Sequence, residues 1–242
     1  MIFKTEAFVL RAIPWREADR LYYFFTPHEG VITGVVRAAA KSSSKLAGQL
    51  LPFAKVQIMI GRGKLDHVAG TSTIKDYQNL RTDLKNLSLA ASIVELFLGE
   101  LSSGAKQQEF DLLEEVFTLL NEENLKSEDK LILVRTFLWK FLSLSGWQPQ
   151  LDACFVCQKS ISQGAYLPGR GLVCHQHNLA GALLISPDLL QFLREILKTS
   201  LKDSLDLKLN PELNKEWLQA SQAYYQEVYD RPSRALKLFV YG

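Results

Sequence analysis

All three cysteines of this 242-residue chain fall, with one histidine, into the spacing C-x2-C-x16-C-x2-H, formed by Cys154, Cys157, Cys174 and His177. No other feature restricts the fold as tightly. Two residues between ligands let a tight turn aim both side chains at one ion, and two such turns brought together supply a tetrahedron. The surrounding stretch, QPQLDACFVCQKSISQGAYLPGRGLVCHQHN, is too rich in turn-formers to build an apolar core of its own. One structural zinc ion is the expected staple. His177 repeats the two-residue gap of the first pair and is the expected fourth ligand, with His175 of the same CHQH stretch as the alternative. Buried free cysteines or a redox C-x-x-C are the competing readings, but a redox pair needs no second half-site at this distance.

Four protein ligands leave no position for an activated water, so the metal is expected to be structural and the chain not to be an enzyme. A zinc deaminase would require H-x-E and P-C-x-x-C, and neither occurs. HExxH, GxSxG and GxxxxGK[ST] are also missing. A metal-dependent hydrolase would have to repurpose Asp152, His175 and His177, without a paired-carboxylate or histidine signature to support it.

At 47% hydrophobic and 22% charged residues the composition is that of ordinary globular protein. The opening MIFKTEAFVLRA holds no uninterrupted apolar segment, and no later run reaches the roughly 18 apolar residues of a membrane span. The expectation is a soluble, cytoplasmic chain with no membrane partner, and few cysteines suit a reducing compartment. The net charge of +2 is unevenly divided, because residues 1–80 carry 11 basic against 6 acidic side chains. That excess points to a polyanionic partner of the amino-terminal part.

The hydrophobic period changes near residue 80. Before it, TEAFVLRA, RLYYFFT, GVITGVVRA, FAKVQIMI and LDHVAGTSTI read as five strands separated by Pro14, Pro27, Gly30, Pro52, Gly61 and Gly63. Five strands with a longer connection, KSSSKLAGQL, after the third suggest an OB-fold. Beyond residue 80, Leu84, Leu87, Ala91, Val94, Leu98 and Leu101 recur at helical spacing, as do Phe110, Leu113, Val116, Phe117 and Leu120. EDKLILVRTFLWKFLSLSGW is apolar around most of its circumference and reads as the central helix of a bundle. Two more helices are expected to open at Ser186-Pro187 and Asn210-Pro211. The expected class is α+β and multidomain: an OB-fold barrel over 1–80, a helical domain over 81–150 and 183–242, and a zinc lobe over 151–182.

This order of basic barrel, apolar helices and cysteine-based insert resembles the RecO family of bacterial recombination mediators. The resemblance is carried by EAFVLRAIPWREADRLYYFFTPHEGVITGVVRAAAKSSSKLAGQLLPF, by FLSLSGWQPQLDACFVC and by RPSRALKLFV. It implies a nucleoid-associated DNA repair protein that binds single- and double-stranded DNA and anneals complementary strands. It also implies action with RecR and with single-strand binding protein, and hence indirectly with RecA. Two departures stand out: His177 replaces a cysteine common in relatives, and Ala38, Ala39 and Ala40 replace a denser basic cluster. A zinc-ribbon adaptor without nucleic-acid contact is the alternative reading of the chain.

OB-folds hold nucleic acid across strands two and three and the adjoining loops. The candidate DNA contacts are therefore Arg11, Trp15, Arg16 and Arg20 around the first loop, with Arg37, Lys41 and Lys45 after the third strand. Alternation along Tyr22, Tyr23, Phe24 and Phe25 sends one pair into the barrel and the other outward. Arg135, Trp139 and Lys140 are the candidate contacts for the acidic, apolar tail of single-strand binding protein, against the reading that the two cations only snorkel to the surface.

Overall fold

A computed structural model describes residues 2–99, 106–162, 164–177 and 180–231. The chain divides into two compact units, Met1–Asn124 and Leu125–Gly242.

In the first unit five strands close a barrel in the order β1-β2-β3-β5-β4. They are β1 (Ile2–Pro14), β2 (Arg20–Thr26), β3 (Gly30–Val36), β4 (Lys55–Gly61) and β5 (His67–Lys75). β1 is longer than its sequence pattern suggests because it serves two neighbours: residues 2–8 pair with β4 and residues 8–14 with β2. A register shift between Val9 and Arg11 marks the transfer, as expected of a bulge that bends a strand from one partner to the next. A parallel contact between Val35 and His67 closes the ring. Alternation turns Val9, Tyr22, Phe24, Ile32, Val56, Ile58 and Ile60 into the barrel core. The connection after β3 contains a short helix, α1 (Lys45–Gln49), capped by the Ser44 hydroxyl accepting from the Ala47 N–H at 3.4 Å. This is an OB-fold.

The outward aromatics of β1 and β2 are covered by two helices, α2 (Leu84–Leu98) and α3 (Gln107–Leu120). The Phe8 ring lies 4.8 Å from Phe110 and 5.7 Å from Phe117, and Phe25 lies 4.4 Å from Phe97. Lys55 ties α3 to the barrel through Glu114 at 2.7 Å and Glu6 at 2.9 Å. Burial pushes its ammonium down, but the two carboxylates more than offset this and hold its pKa up. The compact unit thus continues to Asn124, past the change of pattern at residue 80 that marks the end of the barrel.

α3 buries Phe110, Leu113, Val116, Phe117 and Leu120, the face read from its spacing. α2 corrects its own reading. Leu84 is 77% exposed and Leu87 and Ala91 are also exposed, whereas Val94 is buried and Leu98 half-buried, and the buried face runs through Asn86, Leu89, Ala90, Ile93, Val94, Leu96 and Phe97. The rotation follows from an amide network that periodicity ignores. Asn86 donates to the Asn79 carbonyl at 3.0 Å, and Asn79 in turn donates from its backbone N–H and its side-chain amide to the Asn121 side-chain and backbone oxygens at the end of α3. Leu101 lies outside the described residues.

The second unit contains α4 (Ser127–Leu142), a three-stranded sheet and two further helices. The sheet runs β7-β6-β8, from β6 (Ala165–Leu167), β7 (Gly171–Val173) and β8 (Leu183–Leu184). α5 (Pro187–Lys198) and α6 (Pro211–Tyr229) open at the two expected Ser-Pro and Asn-Pro pairs, where Ser186 and Asn210 cap at 3.1 and 2.8 Å. α4 is central, as its composition requires. Trp139 is fully buried against Tyr224 at 4.7 Å and Tyr166 at 5.7 Å, and its indole N–H donates to Ser221 at 2.9 Å. Among the described residues no helix is long and apolar enough to cross a membrane. Of the RPSRALKLFV stretch, residues 232–240 lie outside the described residues.

Candidate metal centre and nucleic-acid interface

Two short turns of the second unit bring the array together. Cys154 and Cys157 sit on one turn, closed by the Gln158 N–H donating to the Cys154 carbonyl at 2.8 Å. Cys174 leaves the end of β7, and His177 follows on a single tight turn over His175–His177. The ligand atoms of Cys154, Cys157, Cys174 and His177 all lie within 4.8 Å of one another. His177 Nδ1 is 3.2 Å from the Cys174 sulfur and 3.8 Å from the Cys154 sulfur. A tetrahedral zinc with usual bond lengths would separate sulfur and nitrogen by about 3.5 Å. Three sulfurs and one nitrogen at this separation fit a single metal ion, and the group contains His177, not His175.

Backbone donors prepare the sulfurs for this. Burial pushes the Cys154 thiol up, yet the N–H groups of Cys157, Cys174 and Val156 outweigh it and bring the thiol down to about 6. The N–H of Lys159 pulls Cys157 down, but burial and the neighbouring Cys154 and Cys174 sulfurs leave it raised. Of the two sulfurs on this turn, Cys154 therefore gives up its proton first.

Two supports of this centre were not foreseen from spacing. Gly171 has φ +131°, and a Cβ there would lie 2.1 Å from the Gln150 carbonyl oxygen. That contact is needed because the Leu172 N–H donates to the Gln150 carbonyl at 2.8 Å and the Gln150 N–H to the Arg170 carbonyl at 2.9 Å, which lays the incoming chain along β7. Arg194 on α5 donates to the Leu151 carbonyl at 2.6 Å and pairs with Asp152 at 3.1 Å. The positive φ of Gly171 within GRG and a lone arginine on the next helix have no spacing signature.

The cations of the barrel form a second, differently built site. Residues 15–19 link β1 and β2, and residues 37–44 follow β3. Backbone bonds hold the two segments together: the Ala38 N–H donates to the Asp19 carboxylate at 2.9 Å and the Ala40 N–H to the Ala18 carbonyl at 2.9 Å. Ala38 takes φ +53° to make this turn. The alanine run is thus the seam between the loops that carry Arg16 and Lys41. Arg16, Arg20, Arg37, Lys41 and Lys45 are all exposed, as is Trp15 at 43%. Among the described residues none of the five forms an ion pair, and neither does Arg11. Two other barrel cations are answered, Arg62 by Glu29 and Asp66 and Lys55 by two glutamates, whereas Lys4, Lys64 and Lys75 form no ion pair among the described residues. Arg11 lies on the outer face with its guanidinium 5.0 Å from the Tyr23 ring, opposite which it is paired across the strands. Tyr22 and Phe24 face the core, Phe25 faces the helices, and Tyr23 is left half-buried on the outer surface.

The carboxy-terminal candidates differ from their expectation as surface contacts. Arg135 is only 4% exposed, lies 4.2 Å over the Trp217 ring and donates to the Asn214 carbonyl and side-chain oxygens. Burial brings its pKa down to about 10, which still leaves it charged at neutral pH. Trp139 is core, and Lys140 donates to the carbonyls of Leu197 and Thr199 at the end of α5, where a cation offsets the helix dipole. Arg135 is turned inward with its Nε buried and without a hydrogen-bond partner among the described residues, and Lys140 is half-buried on backbone carbonyls.

An OB-fold with an ion-pair-free basic end, followed in the chain by a helical unit with a Cys3His group able to hold a metal, defines a two-unit class of α+β protein. Residues 1–77 match the family described as Recombination protein O N terminal, and residues 81–237 that described as Recombination protein O C terminal. The chain belongs to the RecO family. It is similar to a DNA repair protein RecO of Dehalococcoides mccartyi (strain ATCC BAA-2266), 30% identical over 97% of this chain and 93% of the relative. Those of Clostridium novyi (strain NT) and Alkaliphilus metalliredigens are 26% and 27% identical over 99% and 96% of the chain.

Proposed function

We propose that this chain is a DNA repair protein and recombination mediator. It binds single- and double-stranded DNA without sequence specificity, anneals complementary strands, and helps load recombinase onto strands coated by single-strand binding protein. The observation that carries this reading is the loop end of the barrel, where five exposed cations stand on or at the edge of two stitched segments without carboxylate partners. Cations free of carboxylate partners can each neutralise a phosphate and release its condensed counterions. Such contacts carry no base information, so binding is indifferent to sequence. Annealing follows from the same physics. A surface that screens two phosphate backbones lowers their repulsion while leaving base edges free to pair.

Cys154, Cys157, Cys174 and His177 would hold one zinc ion, which supplies a cross-link that closes the lobe. With four protein ligands it has no position for substrate, so the reading assigns no catalytic residue. RecR, the tail of single-strand binding protein and, indirectly, RecA are the proposed partners, on the strength of family membership. A fluorescence annealing assay with complementary oligonucleotides, with and without single-strand binding protein, tests the reading. Acceleration over spontaneous annealing is expected, and its absence would favour an adaptor that contacts no DNA.

A further inference from the structure

The turn that carries Cys154 and Cys157 does more than bind metal, because its two intervening residues face solvent. Phe155 is 39% exposed and Val156 47% exposed, although both are large and apolar. The turn is fixed beneath them: the Phe155 N–H donates to the Leu172 carbonyl at 2.7 Å, and the Gln158 side chain donates to the Phe155 carbonyl at 3.0 Å. The Arg170 guanidinium stands 5.8 Å from the Phe155 ring. Lys159 and Arg170 are both exposed and, among the described residues, neither forms an ion pair, whereas the nearby Asp152 is already paired with Arg194. An exposed aromatic on a fixed turn, with Arg170 near its ring and Lys159 two residues beyond Cys157 in the chain, is therefore presented at the tip of the metal lobe.

The size of this tip decides what it fits. A protein partner of ordinary stability needs on the order of 1,000 Å² of buried surface, far more than two side chains provide. One aromatic face is enough for one nucleobase, and a stacked base contributes about 1 to 3 kcal/mol while cations beside it meet the flanking phosphates. Guanidinium planes serve as stacking partners as well. We infer that the tip of the metal lobe is a second contact for single-stranded DNA, in which Phe155 stacks on an unpaired base and Lys159 and Arg170 meet the adjoining phosphates. Duplex DNA offers no open base face, so the contact discriminates single strands from duplex. This is an activity the barrel's phosphate contacts do not supply.

The inference rests on the reading that the chain binds single-stranded DNA, and the test separates the two. Full-length parent, Phe155→Ala, Phe155→Trp and Arg170→Glu proteins are titrated with a labelled oligonucleotide and with its duplex, after metal content and Tm have been matched. Photo-crosslinking to an iodouracil-bearing strand is mapped in parallel. Phe155→Ala is expected to weaken single-strand binding about fivefold or more. Duplex affinity should move less than twofold, Phe155→Trp should retain parental affinity, and the crosslink should fall on Phe155. A parent that binds no single strand sinks the underlying reading. A parent that binds, with Phe155→Ala unchanged and no crosslink on the turn, overturns this inference alone. So does a variant that loses only an acidic partner peptide.

Discussion

At the loop end of the barrel Arg16, Arg37, Lys41 and Lys45 stand exposed and unpaired, held only by the backbone seam between Asp19 and Ala38. At the metal lobe four donor atoms converge within 4.8 Å, fixed by two short turns. The first site works by the sum of charges and tolerates the loss of any one. The second works by geometry and tolerates none. A polyanion is met by a field that falls gradually as cations are removed, whereas a tetrahedron missing one sulfur is no longer a closed site. The two regions should therefore fail in different ways, and that difference can be measured.

The largest effect is expected at the metal lobe. Cys154→Ser should release the ion and cost several kcal/mol of stability, since metal-binding free energy in such lobes is folding free energy. Thermal unfolding and metal content check this, and duplex affinity should stay within twofold of parent. A normally stable Cys154→Ser protein without duplex binding would break the comparison. Gly171→Ala should follow closely, because its Cβ would meet the Gln150 carbonyl at 2.1 Å on a backbone of φ +131°. A loss of about 3 kcal/mol with weakened metal retention is expected. Arg135→Ala should cost about 2 to 3 kcal/mol, through the cavity over Trp217 and the stranded Asn214 acceptors, while leaving DNA affinity unchanged.

The smallest effect is a dependence on pH. In the metal-free chain the Cys154 thiol, at about 6, lies below its ordinary range. A depressed folded pKa means that the unfolded chain binds more protons between about 6 and the ordinary thiol range near 8.5, so stability rises with pH through that window and is lost as pH falls through 6. Chemical denaturation of the stripped protein at pH 5.5 and 8 reads the sign. Greater stability at pH 5.5 would contradict the charge accounting at the turn.

Much of this architecture was legible because it depends on local rules. Strand alternation, the Ser-Pro and Asn-Pro helix starts and the C-x2-C-x16-C-x2-H spacing are each set by a few adjacent residues, and the observed barrel, α5, α6 and metal group follow them. What misled was satisfaction at a distance. Asn86 could join the buried face of α2 because the Asn79 carbonyl accepts from it, and Arg135 went into the core because Asn214 and Trp217 could receive it. A buried polar group is acceptable wherever a partner waits, and nothing in linear spacing reveals that partner.

The central claim is that the unpaired cations at the loop end of the barrel carry DNA affinity by counterion release. Its most direct test is the salt dependence of oligonucleotide binding by the parent and by a variant with Arg16, Arg37, Lys41 and Lys45 all changed to Ala. With four phosphate contacts removed, the single-strand slope of log K against log salt should flatten by about 3, at unchanged Tm and metal content. A slope and low-salt affinity equal to those of the parent would contradict the account.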